Sequence, residues 1–146
     1  MSEPILKEKD GDVTTITLNR PEVGNRQTDA TWAQLTEMLD IAAKESRLIV
    51  FKGAGDDFCL GREAMGQPSP VLEAYAIRER SETIFNLYGA FRSAKVPIMG
   101  VVQGRAVGLW GALWRRFAIL RSPATRPAFN FPKWPTTSCR PSPCPR

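Results

Sequence analysis

Two short apolar runs, each ending in glycines, constrain the fold of this chain more than any other feature. The first is RLIVFKGAG at residues 47–55, and the second is KVPIMGVVQGRAVG at residues 95–108. Such continuous apolar runs are typical of strands buried on both faces of a parallel sheet. Between them we expect a long helix that begins at Ser69 and Pro70. Strands alternating with helices indicate an α/β fold.

The residues before these runs predict a strand and a helix. The segment DVTTITLNRP, residues 12–21, alternates so that Thr14, Ile16 and Leu18 share one face, and the turn residues before it make it the second strand of a hairpin. The segment at residues 28–45 begins with a Thr28/Asp29 cap and is expected to form an amphipathic helix. Its apolar positions at helical spacing are Trp32, Leu35, Leu39 and Ala42.

The chain changes character near Trp110. Residues 112–146 contain no acidic residue, six arginines and seven of the twelve prolines. Prolines at this density exclude a helix or a central strand beyond Pro123. We therefore expect one partial folded domain at residues 1–111, followed by an Arg- and Pro-rich, disordered tail at residues 112–146.

Charge is divided unevenly along the chain. Residues 1–82 hold all 15 acidic residues and 10 basic ones, a net charge of −5, whereas residues 83–146 carry +10. Such asymmetry is seen in tails that bind nucleic acids or membranes. We expect neither partner, because the arginines are scattered, no nucleic-acid-reading module accompanies them, and no apolar run is long enough to span a bilayer. With no signal-peptide core at the N-terminus, we expect a cytoplasmic protein.

The amino-acid composition narrows the possible chemistry. The chain has no histidine, which excludes Ser-His-Asp and Cys-His catalysis. Its three cysteines, Cys59, Cys139 and Cys144, lack metal-ligand spacing and are expected to be free thiols, so we predict no metal site. Carboxylates, lysines, tyrosines and backbone amides remain as the chemical groups available to a site.

A glycine-containing turn follows each apolar run: FCLGRE at residues 58–63 and GRAVGLWG at residues 104–111. In an α/β sheet such strand ends line the binding crevice, and backbone N–H groups there can point at one anionic oxygen. Each turn alone is weak evidence, because a glycine after a strand is usually only a turn.

Three motifs in order resemble the crotonase family, that is, the enoyl-CoA hydratases and isomerases. They are VTTITLNRPEVGNRQT at residues 13–28, RLIVFKGAGDDFCLGRE at residues 47–63 and VPIMGVVQGRAVG at residues 96–108. The resemblance implies a crotonase-like spiral of ββα turns, of which this chain holds the N-terminal part. Family members continue into further turns and C-terminal helices that cover the acyl pocket and build homotrimers, so we expect marginal stability or aggregation here.

The resemblance also implies a site that acts on acyl-CoA thioesters. Its oxyanion hole, which holds the thioester carbonyl as it becomes an enolate, would consist of the backbone N–H groups of Arg62 and Leu109. CoA, which enters as part of the substrate so that no separate cofactor is expected, would lie along the loop after LNRP and the FCLGRE turn. The arginines Arg26 and Arg62 are candidate phosphate contacts. The candidate CoA-binding residues are Val23, Asn25, Arg26, Leu60, Gly61 and Gly108.

Both glutamates that hydratases of the family use as acid and base are missing. Their positions are occupied by Ala112 and Lys133, and the nearby Glu63 is expected to be structural. The first hypothesis is therefore an acyl-CoA enzyme that is impaired in this chain. The alternatives are a non-catalytic CoA-thioester-binding remnant or partner subunit, and a binder of anionic polymers through the basic tail.

The composition of the tail is also typical of GC-rich coding sequence read out of frame. With suitable codons for residues 118–128, a shifted frame reads DFAIASDTAR, and one base restored before Lys133 turns FNFPKW into FNFPEM. We therefore hypothesise a C-terminally truncated, frameshifted chain whose parent kept alanine at the first glutamate position. A single remaining glutamate suits isomerases better than a standard hydratase.

Overall fold

The computed structural model describes residues 3–63, 74–114, 118–121 and 128–130. It begins with a hairpin of two antiparallel strands, β1 (Ile5–Asp10) and β2 (Val13–Leu18), joined by a turn in which Gly11 has a φ of 55°. The predicted face of β2 is confirmed, because Thr14, Ile16 and Leu18 are all buried. A single 3-10 turn, Pro21–Val23, follows the hairpin.

The first helix, α1 (Asp29–Glu45), matches the sequence prediction in its start and in its buried face. Thr28 is the N-cap, and its Oγ1 accepts a hydrogen bond from the backbone N–H of Thr31. Thr31 returns the contact by accepting from the Thr28 N–H at 2.8 Å, which completes a capping box. The four predicted apolar residues of this helix are all buried: Trp32, Leu35, Leu39 and Ala42.

The main sheet has five strands in the order β1-β2-β3-β4-β6. After the hairpin, every neighbouring pair is parallel, with β3 at Leu48–Gly53, β4 at Ile98–Val102 and β6 at Ala118–Arg121. A helix, α2 (Ala74–Ser93), connects β3 to β4. The predicted α/β class and parallel strands are therefore confirmed, whereas the predicted start of this helix at Ser69 lies outside the described residues.

The expectation that β3 and β4 are buried on both faces is wrong. Ile49 and Phe51 are fully buried, but Val50 between them is only partly buried, and Met99 and Val101 of β4 are likewise partly buried. The cause is that the core side chains of α1 and α2 pack against one face of the sheet. Buried and partly buried residues therefore alternate along these strands, as expected for a pleated sheet with one packed face.

A second, smaller set of parallel contacts lies beside the main sheet. Strand β5 (Arg105–Val107) pairs in parallel with β7 (Ala128–Asn130), and isolated parallel bridges join Cys59 to Ala106 and Gln27 to Arg62. After the hairpin turn, each main strand is thus followed by a short strand-like segment, and after β2, β3 and β4 a helix comes next. This repeating order confirms the ββα spiral inferred from the family resemblance.

A third helix, α3 (Leu109–Trp114), brings Trp110 into the centre of the core. The Trp110 ring stacks on Trp32 with centroids 5.6 Å apart and lies edge-on to Phe58 at 5.4 Å and to Phe91 at 6.2 Å. Each such aromatic pair adds about 0.5–1.5 kcal/mol beyond the burial of its area. Residue 110, near which the sequence signals change, is therefore a principal core residue.

Regular structure extends past the predicted boundary at residue 111. Helix α3 crosses it, and β6 and β7 both fall within residues 112–146. Neither strand runs through a proline, since β6 ends before Pro123 and β7 lies between Pro127 and Pro132. The other residues of the predicted tail, including Lys133, lie outside the described part of the chain.

Candidate functional site

The two glycine-containing turns lie side by side because the segments that lead into them run in parallel. The backbone N–H of Cys59 donates to the Arg105 carbonyl at 3.1 Å, and the Val107 N–H donates to the Cys59 carbonyl at 2.9 Å. These bonds pair Cys59 with Ala106, so that the two segments form a short parallel ribbon. Arg62 and Leu109, each three residues further on, therefore lie at the same end of this ribbon.

Gly61 and Gly108 turn the chain at the end of the ribbon. Their φ angles are 94° and 69°, in the region that favours glycine over every other residue. The Gln27 N–H donates to the Gly61 carbonyl, so the Gly61 turn is also tied to the chain before α1. The two predicted oxyanion-hole residues thus follow directly after left-handed glycines.

Both predicted N–H donors are free among the hydrogen bonds of the described residues. The Gln27 bridge uses the Gly61 carbonyl and the Glu63 N–H, which leaves the Arg62 N–H between them without a backbone acceptor. Leu109 is the first residue of α3, and the N–H groups of a first helical turn have no partner within the helix. Two unpaired backbone donors at one end of a ribbon are an arrangement that can bind a single oxygen.

The predicted CoA loop packs directly against the first turn. The Leu60 N–H donates to the Gly24 carbonyl at 2.9 Å, and the Leu60 side chain lies so close to Gly24 that a Cβ there would overlap it. Val23 ends the 3-10 turn and is partly buried, and Arg26 is exposed. The structure therefore brings together the two segments along which the sequence predicted CoA.

Asn25 holds this loop in place through its buried side chain. Its Oδ1 accepts from the Arg20 N–H at 2.9 Å, and its Nδ2 donates to the carbonyls of Ala54 and Asp57, both at 2.8 Å. Its φ of 56° is one that asparagine tolerates better than most residues. Through these contacts of its side-chain amide, Asn25 positions the loop.

The arginines differ in their availability to an anionic ligand. The Arg62 guanidinium forms an ion pair with Asp29 in the first turn of α1. Arg20 contacts Glu63 at 2.8 Å, in agreement with the structural role expected for Glu63. Arg26 makes no ion pair with any described residue, so of the two arginines predicted to meet phosphates it is the more available one.

Cys59 is a buried thiol within the ribbon. Burial raises the pKa of the Cys59 thiol to about 12. Its Sγ donates to the Asn25 carbonyl at 2.9 Å and accepts from the Gly61 N–H at 3.4 Å. A thiol with this pKa stays protonated near neutral pH and is a poor nucleophile, so its contacts are structural.

Among the described residues, the carboxylates of a hydratase are not found at this site. Ala112, at the first glutamate position, lies in α3, and Lys133, at the second, lies outside the described residues. In the described part of the chain, no group of three or more His, Cys, Asp or Glu residues is arranged to hold a metal ion. The site therefore offers hydrogen-bond donors and no assigned base.

A groove lies away from this ribbon, between α1 and α2. Its volume is about 550 Å³. It shares no residue with the predicted site, and its lining combines polar and apolar groups. Its lining residues are Ala33, Thr36, Glu37, Asp40, Ile41, Lys44, Thr83 and Asn86.

None of the helices in the described ranges combines the length and the apolar character needed to cross a membrane.

Comparison with known proteins decides the family. The sequence profile described as Enoyl-CoA hydratase/isomerase matches residues 8–116, which include both glycine turns. This chain belongs to that enoyl-CoA hydratase/isomerase family. The crotonase resemblance of the three motifs is thereby confirmed.

Individual relatives in the enoyl-CoA hydratase/isomerase family carry different names. The chain is 34% identical over 97 residues to the "Probable enoyl-CoA hydratase" of Rhodobacter capsulatus, covering 66% of this chain and 37% of that protein. It is 32% identical over 117 residues to the 1,2-epoxyphenylacetyl-CoA isomerase of Escherichia coli, covering 77% of this chain and 45% of that one. Hydration and isomerisation are thus both represented among its relatives.

A solved structure supports the fold. The enoyl-CoA hydratase/carnithine racemase of Magnetospirillum magneticum superposes with a TM-score of 0.78 at 20% identity, covering 90% of this chain and 50% of that one. At this identity the likeness concerns the fold alone. The chain spans about half the length of this structure and less than half of the two relatives above.

Sequence reasoning missed three contacts that shape the site. They are the hydrogen bond from the Asn25 side chain to the Asp57 carbonyl, the Arg62–Asp29 ion pair, and the Asp57–Arg105 ion pair. All join residues that are distant in the chain. The sequence did contain a signal for the Asp57–Arg105 ion pair. When the two glycine-containing motifs are aligned at Gly61 and Gly108, Asp57 falls opposite Gly104, which is next to Arg105.

Proposed function

We propose that this chain binds acyl-CoA thioesters and polarises the thioester carbonyl with the backbone N–H groups of Arg62 and Leu109. The observation that carries the proposal is the parallel ribbon, which ends in two left-handed glycines and two N–H groups that no described backbone acceptor occupies. Donors placed in advance where negative charge develops are among the strongest contributions to catalysis of this kind.

The CoA part of the ligand would lie along the loop from Val23 to Arg26. Support comes from the contact between Gly24 and Leu60, because it joins this loop to the FCLGRE turn. Arg26 is the exposed cation of the loop and is suited to a phosphate, since guanidinium groups bind phosphate oxygens through paired hydrogen bonds. Arg62 contributes its N–H, while its side chain is held by Asp29.

We further propose that hydration is impaired in this chain. Ala112 carries no ionisable group, and no carboxylate is assigned as the base that would move a proton at the substrate. The same observation favours the second candidate function, a CoA-thioester-binding protein without catalysis. The homotrimer and the cytoplasmic location remain predictions, and the binding of anionic polymers by the tail remains an alternative hypothesis.

Two measurements test the proposal. Calorimetric titration with butyryl-CoA reports binding, and loss of the absorbance of crotonyl-CoA reports hydration. We expect saturable binding with little or no turnover. Absence of butyryl-CoA binding by the folded chain would refute the proposal, whereas turnover well above the uncatalysed rate would refute the impairment and exclude the non-catalytic alternative.

A further inference from the structure

An ion pair joins the two segments of the ribbon at the end opposite the free N–H groups. Arg105 Nη2 donates to Asp57 Oδ2 at 2.7 Å, and Arg105 Nε lies 3.1 and 3.2 Å from the two carboxylate oxygens. The backbone N–H of Arg105 also donates to Asp57 Oδ1 at 2.8 Å. One carboxylate therefore binds both the side chain and the backbone of the facing segment.

Neighbouring contacts close the same end of the ribbon. Gln103 Nε2 donates to the carbonyls of Gly53 and Gly55 at 2.5 and 3.2 Å, and the Phe58 N–H donates to the Gln103 carbonyl at 2.9 Å. A Cβ at Gly104 would overlap the Asp56 carbonyl, so the two backbones are in direct contact there. The turn after β3 and the turn before β5 thus form one packed unit.

The backbone of the ribbon alone specifies its register weakly. Three backbone hydrogen bonds join its two segments, those from the N–H groups of Phe58, Cys59 and Val107. A shift of one residue in a strand pair moves every later group relative to its neighbour. Such a shift would separate the Arg62 and Leu109 N–H groups, which must reach one oxygen together.

We propose that the Asp57–Arg105 ion pair is a positioning element that fixes the register of this ribbon, so that the Arg62 and Leu109 N–H groups converge on one thioester oxygen. This inference rests on the proposed function. Asp57 lies five residues before Arg62, and Arg105 lies four before Leu109, so the pair acts on the donors only through the backbone between them.

The exposure of the pair argues for a role in geometry more than in stability. The Arg105 side chain is 53% exposed and that of Asp57 is 17% exposed. Exposed ion pairs contribute little to the free energy of unfolding, since water already solvates the charges. The bidentate geometry of the pair, by contrast, restricts both the distance and the angle between the two turns.

The test compares two CoA ligands that differ by one carbonyl: the thioester butyryl-CoA and the thioether S-butyl-CoA. Their dissociation constants are measured by calorimetry for the full chain and for Asp57→Asn, Arg105→Ala and Arg105→Lys. Glu45→Gln is the matched control, because it removes the carboxylate of another ion pair, Lys7–Glu45 at 2.9 Å, outside the ribbon. Thermal unfolding shows which variants remain folded.

We expect the unsubstituted chain to prefer the thioester by about tenfold, since two hydrogen bonds to its carbonyl are lost in the thioether. Asp57→Asn and Arg105→Ala should reduce this preference to about twofold or less while the thioether affinity changes little. Arg105→Lys should retain part of the preference, and Glu45→Gln should retain all of it. A merely structural role would weaken both ligands alike.

The outcomes separate this inference from the proposed function. If the unsubstituted chain binds neither ligand, or binds both equally, the proposed carbonyl site is refuted and the inference with it. If it prefers the thioester and folded Arg105→Ala and Asp57→Asn keep that preference, the inference alone is overturned. Equal weakening of both ligands by these variants also overturns it.

Discussion

Gly108 shows how a single residue limits the geometry of this site. Its φ of 69° is costly for any other residue, yet the space around an added Cβ is open. Gly11 in the β1-β2 turn has the same two properties, with a φ of 55° and nothing within contact distance of an added Cβ. The chain therefore contains a matched pair of glycines, one beside the site and one remote from it.

We predict that Gly108→Ala and Gly11→Ala each lower the free energy of unfolding by about 1–2 kcal/mol, the cost of a left-handed conformation with a Cβ. Only Gly108→Ala should also weaken butyryl-CoA binding, by about three- to tenfold, because it moves the Leu109 N–H. Urea unfolding and calorimetry measure the two effects. Equal ligand affinity in both variants would contradict the assignment of Leu109.

The Asp57–Arg105 ion pair gives the free energy of unfolding a small dependence on pH in the acid range. Its hydrogen bonds to Arg105 hold the pKa of this carboxyl below its usual range of about 3.9. A carboxyl whose pKa is lower in the folded state stabilises the fold above its unfolded pKa, and loses this contribution as pH falls through its folded value. We expect urea unfolding between pH 7 and pH 2 to show a smaller loss below about pH 4 for Asp57→Asn than for the unsubstituted chain. Identical profiles would show that the ion pair is not coupled to stability.

At the scale of elements, the start of α1 depends on the reciprocal contacts of Thr28 and Thr31. We predict that Thr28→Ala lowers the free energy of unfolding by about 1 kcal/mol, since it removes the N-cap acceptor. Thr36→Ala within the same helix is the control, and it should be neutral or stabilising because alanine is the better helix former. Thermal unfolding of both variants measures the difference, and an equal loss would argue against the cap.

The elements that the sequence predicted well are those with a strong local signal. The cap and the spacing from Trp32 to Ala42 determine α1, and alternation determines the buried face of β2. The burial of β3 was overestimated because an apolar run does not show how many faces of its sheet are covered. Strands β6 and β7 were missed because proline density only shows where strands cannot run: β6 ends before Pro123, and β7 fits between Pro127 and Pro132.

The candidate site was predictable only in part, for a related reason. Gly61 and Gly108 were found because glycine marks a left-handed turn in the sequence itself. The partners of Asp57 and Asn25 were not found, since they depend on which segments the spiral brings together. Local chemistry can thus be inferred from sequence, whereas contacts between consecutive ββα turns require the fold.

At the scale of the whole molecule, the coding DNA tests why Lys133 occupies the second glutamate position. The frameshift hypothesis predicts single-base insertions or deletions near the codons for Trp110, Ala128 and Lys133. Resequencing of the gene should reveal an alternative frame that encodes FNFPEM in place of FNFPKW. A coding sequence whose other frames show no likeness to the family would refute the hypothesis and leave Lys133 as a residue of the encoded protein.

The pairing of Cys59 with Ala106 also has a consequence for the order of folding. The Asp57–Arg105 ion pair beside this pairing joins residues that are 48 positions apart, and α2 lies between them in the sequence. Contacts of such sequence separation form late, because the loop-closure entropy must be lost before they stabilise the chain. During synthesis, the hairpin and α1 can form while the two proposed oxyanion-hole donors are not yet together. The site therefore does not exist on the nascent chain until residue 109 has left the ribosome.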